Sequence, residues 1–206
     1  MKAIDFYLDF ASPYAYLAFE QLPQTLQGLS YTVRYQPVLL GALFQHHGHQ
    51  GPAAIAPKHA WIMRHTRWQA GELGVPLQWP AVHPFPPLGL LRLAWACARQ
   101  GTPNRWVCEQ ILHHVWRGGG APADDPARLA ALTATLNPAQ DPGSPAVKAQ
   151  LRAATDAAAA AGVFGVPAFG VDGRLFWGLE ALPMLRAHLQ GDARLAAVWD
   201  APAGTG

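Results

Sequence analysis

Charge, cysteine and long apolar runs are what this chain has least of. Of its 206 residues only 14% are charged, and 15 Lys and Arg against 13 Asp and Glu leave a formal net charge of +2. That excess is too small, and the basic residues too scattered, to argue for nucleic acid as a partner. No apolar run approaches the ~20 residues that a membrane helix needs, and Ala157 to Ala161 reads as a piece of an Ala-rich helix. The N-terminus enters a strand pattern with Asp5 and Asp9 and no apolar leader, so a cytoplasmic chain without a membrane partner is expected. The two cysteines, Cys97 and Cys108, fall in what read as different helices. A disulfide between them is one reading; two buried thiols are the expectation in that compartment. There is no C-x-x-C, no G-x-S-x-G, and Gly118-Gly119-Gly120 lacks the Lys-Ser/Thr of a phosphate loop. Half the residues are apolar, enough for one sizeable domain or a small domain carrying an insertion.

What is present is organised around Asp9-Phe10-Ala11-Ser12-Pro13-Tyr14-Ala15-Tyr16. Before it, Ile4, Phe6 and Leu8 alternate with Asp5, Tyr7 and Asp9, the period of a β-strand. After it, Tyr16, Leu17, Phe19 and Leu22 recur at helical spacing. Ser12 stands at the N-cap and Pro13 at the first helical position. Ser-Pro is an ordinary way to begin a helix. It also sets a hydroxyl among free backbone N–H groups at the positive end of the helix dipole, where an anion is favoured.

Much further on, Gly162 ends a helix, Val166-Pro167 leads into a short strand, Asp172-Gly173 signals a hairpin, and Arg174 to Trp177 reads as the return strand. A strand ending at an active residue on a helix N-terminus, with a distant G-V-P before a hairpin, resembles the thioredoxin fold with its cis-proline. Phe10-Ala11-Ser12-Pro13-Tyr14, Phe164-Gly165-Val166-Pro167 and Phe176-Trp177-Gly178 together resemble the 2-hydroxychromene-2-carboxylate isomerases and their relatives, the kappa-class glutathione transferases. Gly51-Pro52-Ala53 before Lys58, and Val75-Pro76-Leu77, extend the likeness, which runs from about residue 3 to about residue 190.

The resemblance implies an α/β fold: a thioredoxin-like domain from 1–40 and 160–195, a helical insertion at 41–159, and a flexible tail over 196–206. It implies glutathione as cofactor, docked by its backbone at Val166 and Pro167 with its sulfur over Ser12, which would stabilise the thiolate as the catalytic group. Ser12 and Ala15 stand where a redox relative would carry its cysteine pair, so dithiol chemistry drops out. His49 occupies the place of a family Asn that helps hold glutathione, and Lys58 that of a lysine meeting one of its carboxylates. Glu180 takes the place of an Asp near the γ-glutamyl amino group, and the usual arginine is absent. Trp61, Trp79, His83 and Phe85 would line a planar aromatic substrate. The implied reaction interconverts 2-hydroxychromene-2-carboxylate and trans-o-hydroxybenzylidenepyruvate, a step in aromatic breakdown, in a homodimer and with no metal. A glutathione transferase acting on other electrophiles and a non-catalytic thioredoxin-like binding domain are the competing readings.

The remaining expectations come from the residues alone. Tyr31 to Tyr35 is a second strand, parallel to the first because a helix separates them. Pro37 to Pro57 reads as loop, with His46, His47 and His49 as solvated loop histidines; adjacent His46 and His47 are ill placed to share a metal ion. Helices are expected over Lys58–Glu72, Leu88–Arg99, Pro103–Trp116 capped by Thr102, 126–136 after Asp125, 145–161 after Ser144, and from Leu179 or Leu182 to Gln190. Val75 to Pro87, with five prolines, should be stiff and irregular.

Overall fold

The computed structural model describes residues 1–200, the Asp200 side chain excepted. β1 (Lys2–Leu8), helix α1 (Pro13–Thr25) and β2 (Tyr31–Pro37) form the expected parallel unit, with Phe6 opposite Tyr35. The chain returns to this sheet after a long helical passage. β3 (Ala168–Val171) then pairs antiparallel with β1, and β4 (Arg174–Trp177) antiparallel with β3. The order is β2-β1-β3-β4. Asp172 and Gly173 both have positive φ, 51° and 74°, the backbone a two-residue hairpin requires.

Strand alternation sorts the two sheet faces. Ile4, Phe6 and Leu8 point to one side, where Phe6 meets Phe169 at 4.7 Å, Tyr35 at 5.9 Å and Phe19 of α1 at 6.4 Å between ring centroids. Burying each such ring contributes about 1.5–3 kcal/mol. The other side holds a smaller cluster of Val38, Leu43, Ala158, Val163, Val166 and Ala168. That cluster is where the chain re-enters the sheet, so packing there sets the place of Val166.

Between β2 and β3 run α2 (Leu40–His46), α3 (Ala56–Glu72), α4 (Leu88–Ala96), α5 (Arg105–Trp116), α6 (Pro126–Leu136) and α7 (Pro145–Ala160). α8 (Leu182–Gln190) and α9 (Ala193–Asp200) close the described chain. Asp125 and Ser144 cap their helices as the sequence indicates, accepting from Arg128 N and Val147 N. Cys97 and Cys108 are free thiols, and burial pushes both above the ordinary thiol range. No helix among the described residues is long and apolar enough to cross a membrane.

Three expectations are corrected. Residues 40–46 are helical, because Leu43 packs into the second cluster and a remote carboxylate serves the helix N-terminus. α5 is capped by Asn104, whose side chain accepts from Val107 N, and not by Thr102. Residues 196–200 continue α9, with Trp199 set against Phe176 at 4.9 Å; the rest of the expected tail, 201–206, lies outside the described residues.

Candidate active site

Ser12 caps α1, its Oγ accepting from Ala15 N at 3.2 Å, with Pro13 at the first helical position. It is 6% exposed. No acidic residue occupies the first turn, so nothing there offsets the positive end of the helix. Because Oγ accepts from the backbone, its own proton is free to donate. The nearest acceptor is Val166 O at 3.5 Å, long for an O–H···O bond. A hydroxyl held this way can turn toward an incoming anion at little cost. The peptide before Pro167 is cis, and Val166 N–H has no hydrogen-bond partner among the described residues.

The loop that presents Ser12 is tied down at each residue. Ser12 N donates to Asp9 O at 3.0 Å, Trp116 Nε1 to Phe10 O at 3.0 Å, and His83 Nε2 lies 2.8 Å from Ala11 O. The buried Asp9 carboxylate accepts from Ala11 N at 3.0 Å and from Leu40 N at 2.9 Å, so one side chain joins this loop to the start of α2. Burial raises its pKa to about 6, against the two backbone bonds, which favour the charged form. His83 belongs to the proline-rich segment and precedes a second cis peptide, at Pro84.

The residues expected to form the site divide into groups. Ser12, Val166 and Pro167 converge; Pro167 O accepts from Gly178 N at 2.9 Å, tying this turn to the end of β4. Trp79, His83 and Phe85 also come together, with Trp116: Trp79 lies 4.7 Å from His83 and 5.3 Å from Trp116, and Phe85 6.3 Å from His83. Trp79 and Phe85 are buried, and His83 is partly exposed. Trp61 stands apart from them. It is 62% exposed and stacks on His65, which stacks in turn on Trp68. His49 is exposed against Phe44 and hydrogen-bonds the Gln50 carbonyl, with no hydrogen bond to Ser12 or Val166. Lys58 is exposed at the start of α3, without an ion pair among the described residues. Glu180 is exposed, its carboxyl folded close against Gly178, whose φ is 98°. Of the three loop histidines, His46 and His47 meet edge to face while His47 Nε2 reaches Val163 O at 3.1 Å.

Several participants carry no sequence signal of their own. Tyr14, in the first turn of α1, hydrogen-bonds His65 Nδ1 at 2.9 Å. Burial raises its pKa, and the charge of Glu180 adds to the shift. Phe164 and Trp177, both partly exposed, lie 4.9 Å apart beside Val166. Gly165 lies beneath the indole, where a Cβ would approach Trp177 Nε1 to 2.8 Å. His59 Nε2 lies 3.1 Å from His83 Nδ1 with the rings stacked. The motifs Phe164-Gly165 and Phe176-Trp177 are the legible trace of this last aromatic pair, and helical spacing sets His65 near one face with Trp61 and Trp68; no spacing marks His59 or Trp116.

A strand-helix junction with a serine at the helix N-cap, faced by a cis X-Pro turn from the far end of the chain, defines a thioredoxin-like protein. The chain belongs to the DSBA-like thioredoxin domain family, whose model matches residues 3–190. Within it, the chain is similar to 2-hydroxychromene-2-carboxylate isomerase of Sphingobium xenophagum, 30% identical over 198 residues that cover 91% of this chain and 98% of that protein. It is also similar to glutathione S-transferase kappa 1 of Caenorhabditis elegans, 36% identical over 81 residues, 39% of this chain and 36% of that protein. Among solved structures, a 2-hydroxychromene-2-carboxylate isomerase superposes with a TM-score of 0.79 at 24% identity, covering 96% of this chain and 99% of that one. The cytosolic disulfide reductase DsbM from Pseudomonas aeruginosa shares the fold at a TM-score of 0.58 and 18% identity, covering 94% and 99%. The resemblance read from the sequence thus holds for family and fold, and it supports an enzyme of the isomerase or transferase kind.

Proposed function

We propose that this chain is a glutathione-dependent isomerase that interconverts 2-hydroxychromene-2-carboxylate and trans-o-hydroxybenzylidenepyruvate or a closely related aromatic pair. One observation carries the reading: the Ser12 hydroxyl, buried at the unopposed N-terminus of α1, has a proton to give and sits 3.5 Å from Val166 O. The residues present fit the tripeptide. Val166 N–H is a donor without a partner at the edge where an extended peptide would add its backbone. Lys58 is a cation without an ion pair among the described residues, and Glu180 an exposed acid beside Gly178. They suit the glycyl carboxylate and the γ-glutamyl amino group.

When bound, glutathione supplies a thiol whose anion adds reversibly to a conjugated carbon. Ser12 would donate to that sulfur, and the positive end of α1 would favour its ionised form. Ser12 orients and stabilises; it does not attack. Val166 and Pro167 fix the tripeptide backbone. Trp61 and His83 have surface to offer a planar substrate, and the buried Trp79 and Phe85 hold His83 in place. A transferase acting on other electrophiles would use the same sulfur, a reading favoured by the match to the kappa-class protein.

Titration calorimetry with glutathione, followed by absorbance assays with the chromene carboxylate and with a generic aryl halide, tests the proposal. Binding with turnover of the chromene supports it. Turnover of the halide alone selects the transferase, and absence of glutathione binding overturns both.

A further inference from the structure

We propose that His83 is a positioning residue for Ser12 and that His59 donates to its second ring nitrogen, so that the two rings form a one-directional hydrogen-bond chain ending on the Ala11 carbonyl. The inference rests on the reading of Ser12 given above.

The direction of the chain follows from what each atom can do. A carbonyl oxygen only accepts, so His83 Nε2, 2.8 Å from Ala11 O, carries the proton. In the neutral ring Nδ1 is then bare and must accept. The atom facing it is His59 Nε2 at 3.1 Å, so His59 is the Nε2–H tautomer and its Nδ1 is left bare. The ring planes lie within 13° of each other with centroids 5.3 Å apart, which suits a hydrogen bond running in the plane of both rings.

The surroundings disfavour a charge on His83. It packs among Trp79, Phe85 and Trp116, none of which titrates, and the Ala11 carbonyl. From α3 the guanidinium of Arg67 stands over Trp79, 5.9 Å from the ring centroid. Burial pushes His83 below the ordinary histidine range, partly opposed by its bond to Ala11; the nearby His59 lowers it further.

The Ala11 carbonyl belongs to the same peptide group as Ser12 N. A donor on that oxygen holds and polarises the peptide whose N–H is bound to Asp9 O. It does for Ala11 what Trp116 does for Phe10. Without it the loop loses one of its ties, on the residue next to the reactive hydroxyl. A role in packing alone would need only the ring.

The first test is in the ligand-free protein, by two-bond proton–nitrogen spectra of the imidazoles. Both His59 and His83 should show the Nε2–H tautomer at neutral pH. His59→Phe, which keeps a ring beside His83 but removes the donor, should leave His83 protonated at Nε2 and shift its Nδ1 resonance. Finding His83 as the Nδ1–H tautomer in the wild type, or its Nδ1 resonance unmoved in His59→Phe, overturns the assignment. The second test reads the bound thiol of glutathione by thiolate absorbance near 240 nm. His83→Phe should leave about tenfold less thiolate at a fixed pH, equivalent to one pKa unit, while His83→Gln, which restores a terminal N–H donor, should recover most of it. Equal thiolate in wild type and His83→Phe overturns the positioning role. If wild type does not bind glutathione, the functional proposal fails by itself. The positioning claim then stands or falls on whether the Ala11 and Ser12 amide resonances move more in His83→Phe than in His83→Gln.

Discussion

The chain contains its own control for Ser12. Ser144 is built the same way: an extended N-cap followed by proline at the first helical position, its Oγ accepting from the N–H three residues on, at 3.3 Å against 3.2 Å for Ser12. Removing either cap hydroxyl by substitution with alanine should cost about 1 kcal/mol. For a chain of this size that is about 2–4 °C in melting temperature. Chemistry should separate the two. Ser144 caps α7 and makes no hydrogen bond to the Val166 turn among the described residues, whereas the Ser12 hydroxyl is free to donate to an anion. A hydrogen bond to a charged group contributes about 1.5–3 kcal/mol, which converts to about 10- to 150-fold in turnover. Urea unfolding and the chromene isomerisation assay, run in parallel on Ser12→Ala and Ser144→Ala, should therefore give similar stabilities and divergent rates. If Ser12→Ala turns over as fast as Ser144→Ala, the hydroxyl is only a cap and the mechanism proposed for it is wrong.

Asp9 should make stability depend on pH in the sense opposite to most carboxylates. Its folded pKa, about 6, lies above the ordinary 3.8, so the folded state takes up a proton first and the wild type gains stability as pH falls through 6 toward 4. Relative to Asp9→Asn, wild type should gain about 1 kcal/mol between pH 7 and pH 5; parallel urea midpoints at the two pH values would refute the burial effect. Trp116→Phe removes the donor to the Phe10 carbonyl and opens space beside Tyr16 and Trp79 in a fully buried position. It should cost about 3 kcal/mol in chemical unfolding, and a loss below 1 kcal/mol would show that the loop is held without it. Lys58→Met should leave the melting temperature unchanged and weaken glutathione binding in calorimetry; unchanged affinity would remove Lys58 from the site.

The legible parts of this chain were those encoded locally. Strand alternation, Ser-Pro and Asp-Pro caps, and Asp172-Gly173 each act over a few residues, and the structure follows them. α2 escaped because its N-terminal partner, Asp9, is 31 residues away, and its single buried side chain, Leu43, is too little periodicity to read. Thr102-Pro103 carried the right local pattern, yet Asn104 supplies the bond to Val107 N and the helix begins later. The floor of the site was legible only as Ser12 and Val166-Pro167. His59, His65 and Trp116 reach it through tertiary contacts spanning 24 to 106 residues, and no spacing rule connects them. Trp79 and Phe85 were chosen for their aromatic character, which burial and recognition share; the sequence pattern does not tell an exposed ring from a buried one.

The site thus has a floor and a rim with different physical character. Each carbonyl from Asp9 to Ala11 has a donor, each of them from a different residue, and the Asp9 carboxylate joins the same loop to α2. Releasing any one of those buried acceptors would cost about 1–3 kcal/mol, so Ser12 and the α1 N-terminus hold their positions whether or not a ligand is there. Electrostatic stabilisation built on such a floor requires no reorganisation when charge develops on the sulfur. The proposed rim is another matter. Lys58, Trp61, Phe164, Trp177 and Glu180 are all exposed, and Lys58 and Trp61 lie on a helix that presents three further cationic or aromatic side chains, Arg64, Arg67 and Trp68, to the surface. Exposed side chains can turn to suit an electrophile without disturbing the floor. Substitutions on the rim should therefore alter which electrophile is accepted, with KM and substrate ratios changing while the ionisation of the bound thiol does not. Substitutions in the floor should alter that ionisation for every substrate alike. Measuring thiolate absorbance and substrate ratios on one rim variant, Trp61→Ala, and one floor variant, His83→Phe, separates the two; a rim variant that shifts the thiol titration as far as the floor variant would mean that the sulfur is held by the walls and not by the α1 N-terminus.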